Sequence, residues 1–285
     1  MLSNRLVLDR VDQVMPTKTD LDHAVQRNSM SAVFTILAIW QGSPDMLDDS
    51  ESIDPAYTIG ALLTAIANDR PDIVSLLLAV GRGNRMPVME AIRAGSTRIF
   101  DAFLWNGWDI NEPMGHDEPS ALGYAVRNEK LVQWFLDHGA DPNAGYRYDT
   151  PLSRAALVGS MDVIVMLLAK GGDLQRGDLL HWAVERDRDA CDVVALLLAW
   201  GAPPDRLRFD GVEPQWSVYG KNGLGSPLHR AVVLNRLDVV SELLEHGADR
   251  EIKDTMGRTA QPIAETLGNM AAVALLSVER VNGSF

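Results

Sequence analysis

The chain contains a single cysteine, Cys191, in 285 residues. One thiol cannot form a disulfide within the chain, so packing must hold the fold. A reducing, intracellular compartment, the cytoplasm, is the natural expectation. Cys191 stands before Val193-Val194 on an expected helix, where packing explains it better than reactivity does. Basic residues are also scarce. Lys and Arg number 26 against 39 Asp and Glu, a formal charge of −13. This argues against nucleic acid, which is bound through Lys and Arg on phosphates. It argues equally against an anionic membrane surface. It is compatible with a basic protein partner, although acidity alone says little. No apolar run approaches the ~20 residues of a membrane span. Residues 1–14 mix charged with apolar side chains where a secretory leader would be apolar, so a soluble protein is expected.

Chemistry-bearing motifs are scarce too. The six histidines are His23, His116, His138, His181, His229 and His246, and none has zinc-site spacing. No nucleophile motif is recognisable among the Ser, His and Asp residues. The glycines of 220–225 lack the strand-to-helix context of a phosphate loop. No metal, cofactor or catalytic residue is assigned.

What the chain does have is a repeat. Residues 150–173 (TPLSRAALVGSMDVIVMLLAKGGD) and 226–249 (SPLHRAVVLNRLDVVSELLEHGAD) superpose without a gap. Six weaker copies align on a small residue, giving Ala24, Ala65, Ala91, Ala125, Ala155, Ala183, Ala231 and Ala264. A start position precedes the alanine in six copies: Thr19, Met86 (before Pro87), Ser120, Thr150, Ser226 and Thr259. Such residues cap helices, and proline fits the first helical position. An apolar run follows, for example Leu167-Leu168 and Leu243-Leu244, and Gly81, Gly107, Gly139, Gly171, Gly201 or Gly247 closes most copies. Glycine suits a helix stop because it accepts the left-handed conformation. Each unit reads as helix, turn, helix. One unit cannot bury its own apolar stripe, so the units must stack. The Ala125 copy is short and the Ala183 copy long, so their inter-helix turns should differ.

These residues resemble the ankyrin repeat. The match lies in Ser226-Pro227-Leu228-His229-Arg230-Ala231, partly in Leu180-His181-Trp182-Ala183, and in the endings Gly139-Ala140-Asp141 and Gly247-Ala248-Asp249. Residues 254–259 look like the family's D-x-x-G-x-T lead-in, with Ala260 where proline is usual. The resemblance covers roughly 19–277. It implies an all-α solenoid of about eight helix pairs with reduced β-hairpin fingers, as one elongated repeat domain. Residues 1–18 would form an N-terminal capping segment and 278–285 a tail. His181 and His229 would satisfy turn backbone, and Asn111 and Asn143 would cap turns, although hydroxylation of such asparagines is known in the family. Trp40, Trp105, Trp134, Trp182 and Trp200 lie on repeat helices and are expected to pack.

Two links break the period. Residues 41–58 carry five acids, read as a solvated loop or as a patch for a basic partner. Residues 202–224 carry Phe209, Trp216 and Tyr219 among Gly, Pro and polar residues. These rings either form a local minicore or contact a ligand, as surface-loop aromatics do. The second and third residues after the aligned alanine should face the concave groove. They are Leu157 and Val158, Glu185 and Arg186, and Val233 and Leu234. Exposed, these aliphatics would mark an interaction site; the insertion covering them is the other possibility. The leading expectation is a protein-interaction scaffold that binds through the groove and the 202–224 loop. The alternative is a small-molecule or catalytic site lidded by that loop. It would be lined by Leu157, Val158, Trp182, Glu185, Val233 and Leu234, with Glu185, Asp205 or Asp210 as acid or base. A closed apolar pocket would favour the alternative, and an open groove the scaffold.

The circular dichroism spectrum should be mainly helical; a strand-rich spectrum would contradict the repeat reading.

Overall fold

A computed structural model describes residues 15–43, 53–81 and 86–278. The chain divides into two compact units, Met1–Asp109 and Ile110–Phe285. In the first, α1 (Lys18–Gln26) pairs with α2 (Met30–Gln41) and α3 (Pro55–Ala67) with α4 (Pro71–Val80), and the consecutive helices α5 (Val88–Ala94) and α6 (Thr97–Trp105) pack on α3 and α4 respectively. In the second, α7 (Ala121–Ala125) pairs with α8 (Glu129–Asp137), α9 (Pro151–Val158) with α10 (Met161–Ala169), and α11 (Leu179–Val184) with α12 (Ala190–Ala199). A short helix from the insertion, α13 (Gln215–Tyr219), follows. Then come α14 (Pro227–Val233) with α15 (Leu237–Glu245) and α16 (Ala260–Thr266) with α17 (Met270–Ser277). The described residues thus hold eight helix pairs and no strand. Strand pairing is reduced to isolated bridges such as Pro113 with Ser120 and Tyr146 with Asp149, as the short links implied.

Like helices stack on like. In the second unit α7, α9, α11, α14 and α16 follow one another, and α12, α15 and α17 do the same behind them. The cause is visible in the buried sets. Five second helices, α4, α8, α10, α12 and α15, hide residues at i, i+1, i+4 and i+5, as in Val163, Ile164, Leu167 and Leu168 of α10 or Val239, Val240, Leu243 and Leu244 of α15. That stripe is wider than one partner helix can cover. All eight aligned alanines are buried, where a methyl group lets neighbouring helices approach.

The helix ends correct the sequence reading in three places. The first helix begins at Lys18. Thr17, not Thr19, is its cap, because the Thr17 hydroxyl and the Asp20 carboxylate satisfy each other's backbone N–H groups. Pro87 caps α5 and does not occupy its first turn, whereas Pro151 and Pro227 do start their helices. Gly81 closes α4 at φ −100°, outside the left-handed region that Gly139, Gly171 and Gly247 adopt at 86°, 91° and 94°. The turn inside five of the pairs holds a left-handed residue that the alignment passed over. Asn28, Asp69, Gly95, Asn235 and Gly268 all stand four residues after the aligned alanine with positive φ. Asn, Asp and Gly tolerate that conformation best. The short Ala125 copy and the long Ala183 copy differ where expected, with α7 and α8 separated by residues 126–128 and α11 and α12 by 185–189.

Trp40 is fully buried and donates Nε1–H to the Pro16 carbonyl at 2.9 Å. Trp105, expected to pack, is 88% exposed, and Trp200 is exposed as well. Both lie at the ends of second helices, past the stripe. Residues 44–52 of the acidic link, residues 1–14 of the N-terminal segment and residues 279–285 of the tail lie outside the described residues.

Leu168→Ala and Leu244→Ala should each lower stability by roughly 2–5 kcal/mol in denaturant melts. Val233→Ala should stay within about 0.5 kcal/mol, as an exposed position does; equal costs would mean that Val233 is part of the core.

Candidate functional site

The insertion is built into the second unit by named contacts. Phe209 stands at φ 59°, an uncommon conformation for an aromatic residue. Its N–H donates to Asp178 Oδ2 at 2.9 Å. Asp178 is itself buried and left-handed, at φ 48°. Burial pushes its carboxyl pKa up, while the Phe209 N–H works against that shift. The Phe209 ring meets Tyr148 edge-on at 5.3 Å and lies 5.9 Å from Tyr219. Tyr148 meets Tyr146 at 5.2 Å. The Tyr146 hydroxyl donates to the Glu213 carbonyl, and Gln215 Nε2 donates to the Tyr148 hydroxyl. A minicore therefore exists, with Phe209 at its centre. Trp216 is half-buried, and among the described residues its ring joins none of these pairs.

Charge ties the same segment to the inner helices. Glu185 Oε1 accepts from Arg208 Nη1 at 2.6 Å and from Arg230 Nε at 3.0 Å. The Arg208 guanidinium lies over the Trp182 ring at 4.9 Å and the Phe209 ring at 5.3 Å. The far end is fixed to the next repeat. Leu224 N–H donates to Thr255 Oγ1 at 2.8 Å and Thr255 N–H to the Leu224 carbonyl at 3.0 Å. Arg208 N–H also donates to the Gly225 carbonyl at 3.1 Å, which closes the insertion on itself.

Most sequence-selected groove residues are accessible. Leu157, Val158, Glu185 and Leu234 are half-buried, and Val233 is 46% exposed. Arg186 is a correction: it is buried. Its guanidinium donates to the carbonyls of Ala155, Ala156 and Gly159 and pairs with Asp189. It satisfies the open carbonyls of α9 and does not face the groove. The carboxylates considered as acid or base are occupied or scattered. Glu185 holds two arginines, Asp205 accepts the Asp249 N–H at 2.8 Å, and Asp210 is exposed.

A cavity of about 450 Å³ does exist, but one repeat further on than the lidded pocket the sequence suggested. It lies between α14, α16 and residues 222–225, and of the six residues named for that pocket only Val233 lines it. Leu224, Pro262, Ile263 and Leu267 supply apolar wall, and Arg208, Arg230 and Arg258 supply charge. The sequence reading missed Arg258, Ile263 and Leu267. The only signal was their place in the last repeat, Arg258 within the lead-in turn and Ile263 and Leu267 after it. Among the described residues no group of His, Cys, Asp and Glu is placed to hold a metal ion, and no helix is long and apolar enough to cross a membrane.

Comparison with known proteins agrees with the architecture. The model for ankyrin repeats in three copies matches residues 88–178 and 122–208, and the single ankyrin-repeat model matches 225–255. The putative palmitoyltransferase ZDHHC13 of Danio rerio is 24% identical over 222 residues, covering 67% of this chain and 34% of that protein. The B-cell lymphoma 3 protein homolog of Mus musculus is 25% identical over 269 residues, 90% of this chain and 51% of that protein. The putative ankyrin repeat protein FPV018 of fowlpox virus is 39% identical over 62 residues, 21% of this chain and 9% of that protein. The chain thus spans about half or less of the length of these curated relatives.

The two repeat histidines bind backbone as expected. His181 Nε2 lies 3.0 Å from the Gly225 carbonyl and His229 Nε2 lies 3.0 Å from that of Arg258. A carbonyl only accepts, so each Nε2 carries the proton. Burial lowers both pKa values, that of His181 from 6.5 to about 4. Folding therefore favours the neutral ring. As pH falls from 6.5 toward 4 the unfolded chain takes up the proton first, and stability drops by roughly 3 kcal/mol for His181. Asp178 acts in the opposite sense, but a difference between variants cancels it. The fall in denaturant midpoint between pH 7 and pH 4 should be smaller in His181→Gln than in the natural protein; equal falls would show that His181 does not carry it.

Proposed function

The chain belongs to the ankyrin-repeat family, and from that premise we propose that it is a protein-recognition scaffold whose second unit binds a partner through its inner helices and the 202–224 insertion. The observation that carries the reading is the insertion itself. It is held rigidly by Phe209, Asp178 and the Glu185 arginines, yet it leaves Val218 and Tyr219 49% and 47% exposed. Val233, on the neighbouring helix, is exposed too. Apolar side chains on a fixed surface lose little entropy when a partner docks. Apolar side chains left exposed on a fixed surface are candidates for an interaction site. The open cavity and the dispersed carboxylates favour this over the lidded small-molecule site. Similarity to ankyrin-repeat proteins supports it as well, since such a family shares a scaffold and not a chemistry.

The contacts divide by role. Trp216, Tyr219, Val233 and Leu234 form the contact set, with Leu157 and Val158 beside them. Phe209, Trp182 and Glu185 hold the frame, and Arg186 supports α9. Partner capture from extract of the native source, compared between the natural chain, Trp216→Ala and a control on an outer helix, Val165→Ser, tests this. Trp216→Ala should weaken capture by at least ~2 kcal/mol in a follow-up titration, and should change stability by no more than about 0.5 kcal/mol. Loss of stability with affinity unchanged would make Trp216 a plug of the minicore and remove it from the site.

A further inference from the structure

The cavity between α14, α16 and residues 222–225 has a chemistry that sets it apart from the rest of this acidic chain. Three arginines line it and no acidic side chain does. Each guanidinium is fixed from behind. Glu185 holds Arg208 and Arg230. The buried Asp254 takes Arg258 through Nε at 2.9 Å and Nη2 at 2.7 Å. Asp254 also accepts the N–H groups of Met256 and Arg258, which fixes the turn that carries the arginine. The three guanidiniums exceed these two carboxylates by one charge. They also keep unused donors: among the described residues, Arg230 donates to protein only through Nε, and Nη1 of Arg258 has no protein acceptor. The two histidines at the cavity are neutral, because burial lowers their pKa values.

The lining is aliphatic as well. Val233 on α14, Ile263 on α16 and Leu267 just past its end line the same cavity, and Leu267 is 55% exposed. A closed small-molecule site would bury such side chains. An open trough with a fixed cationic edge instead fits a chain segment that presents one acid and one aliphatic group.

We propose that this cavity is a subsite for an acidic, aliphatic peptide segment of a partner protein: an Asp or Glu carboxylate meets Arg230 and Arg258, and a Leu-, Ile- or Met-sized side chain lies on Val233, Ile263 and Leu267. This deepens the scaffold reading and rests on it. It also replaces the basic partner suggested by net charge with an acidic one at this place. The overall charge of −13 does not overrule the local arginines, because charges beyond about 8 Å are largely screened at physiological salt. Arginine's planar fork pairs with carboxylates in two-bond geometry, and the ion pairs behind it reduce the ordering that binding requires.

The test is selection from a phage-displayed random heptapeptide library on the full chain at about 150 mM salt, the regime in which the screening length above holds. Enriched sequences should place Asp or Glu within two positions of Leu, Ile, Val, Met or Phe. Synthetic versions should lose at least about tenfold in affinity when the acid becomes its amide. A similar loss is expected with Arg230→Gln or Leu267→Ser on the protein, and Arg230→Lys should lose less. Melts of the variants check that they fold, which is expected because both positions are partly exposed. Enrichment of basic or uncharged peptides, no enrichment, or affinities indifferent to Arg230→Gln and Leu267→Ser would each overturn the proposal. Acidic peptides that depend on Trp216 and Tyr219 but not on Arg230 or Leu267 would overturn the subsite while the scaffold reading stands. Arg230-dependent acidic peptides, with no partner captured through the insertion, would leave the subsite standing and remove that reading.

Discussion

Each helix pair presents more apolar surface than it can cover. Most second helices carry a stripe at i, i+1, i+4 and i+5, and the first helices carry a buried alanine where their neighbours must come close. A pair alone would leave that stripe in water, at about 25 cal/mol for each Å² of apolar surface. Stacking removes it, so each repeat's stability belongs partly to its neighbours. This explains the strictness of the alanine column. A larger side chain there would push the first helices apart and loosen the stripe behind them.

Hydrophobic stacking alone does not fix the spacing between repeats. Polar ties between successive repeats do that in the second unit. Asn111 donates to the Gly139 carbonyl and accepts from Asp141 N–H, and Asn143 repeats both bonds with Gly171 and Asp173. Asp205 continues the series toward Asp249. His181 and His229 reach forward to Gly225 and Arg258 in the same way. Each bond satisfies a backbone group in a neighbouring repeat. These asparagines do more than cap a local turn: they tie one link to the next.

The periodic part of this architecture was legible in the sequence. The alanines, leucine pairs and most stop glycines repeat, and repetition reveals the constraint that each position obeys. What departed from expectation was local and non-repeating. Thr17 and Thr19 each have an Asp three residues on, and it is Thr17 with Asp20 that completes the reciprocal cap. Arg186 occupies a groove position in the alignment, but the longer turn before α12 redirects it under α9. The cavity was displaced for a similar reason. The insertion's far end is stapled to the following turn through Leu224 and Thr255, so it walls the space between α14 and α16 and leaves α11 supporting the frame. No pattern within one repeat encodes a bond between two irregular segments 31 residues apart.

Function follows from the same division. A regular stack of pairs offers a uniform inner face, and a uniform face cannot prefer one partner over another. In the proposed scaffold reading, residues 202–224 are the break in the period through which one partner is preferred over another. The break is anchored by groups that would be costly to bury alone. Asp178 gains the Phe209 N–H, and Glu185 gains two guanidiniums. Holding those arginines in place serves folding first, because it compensates Glu185. The same arrangement leaves the outer nitrogens of Arg230 directed away from Glu185's single bond at Nε, beside an aliphatic wall. A positive edge on a chain of net negative charge is thus a by-product of anchoring the insertion, and it makes this stretch of the groove chemically distinct from the repeats that surround it.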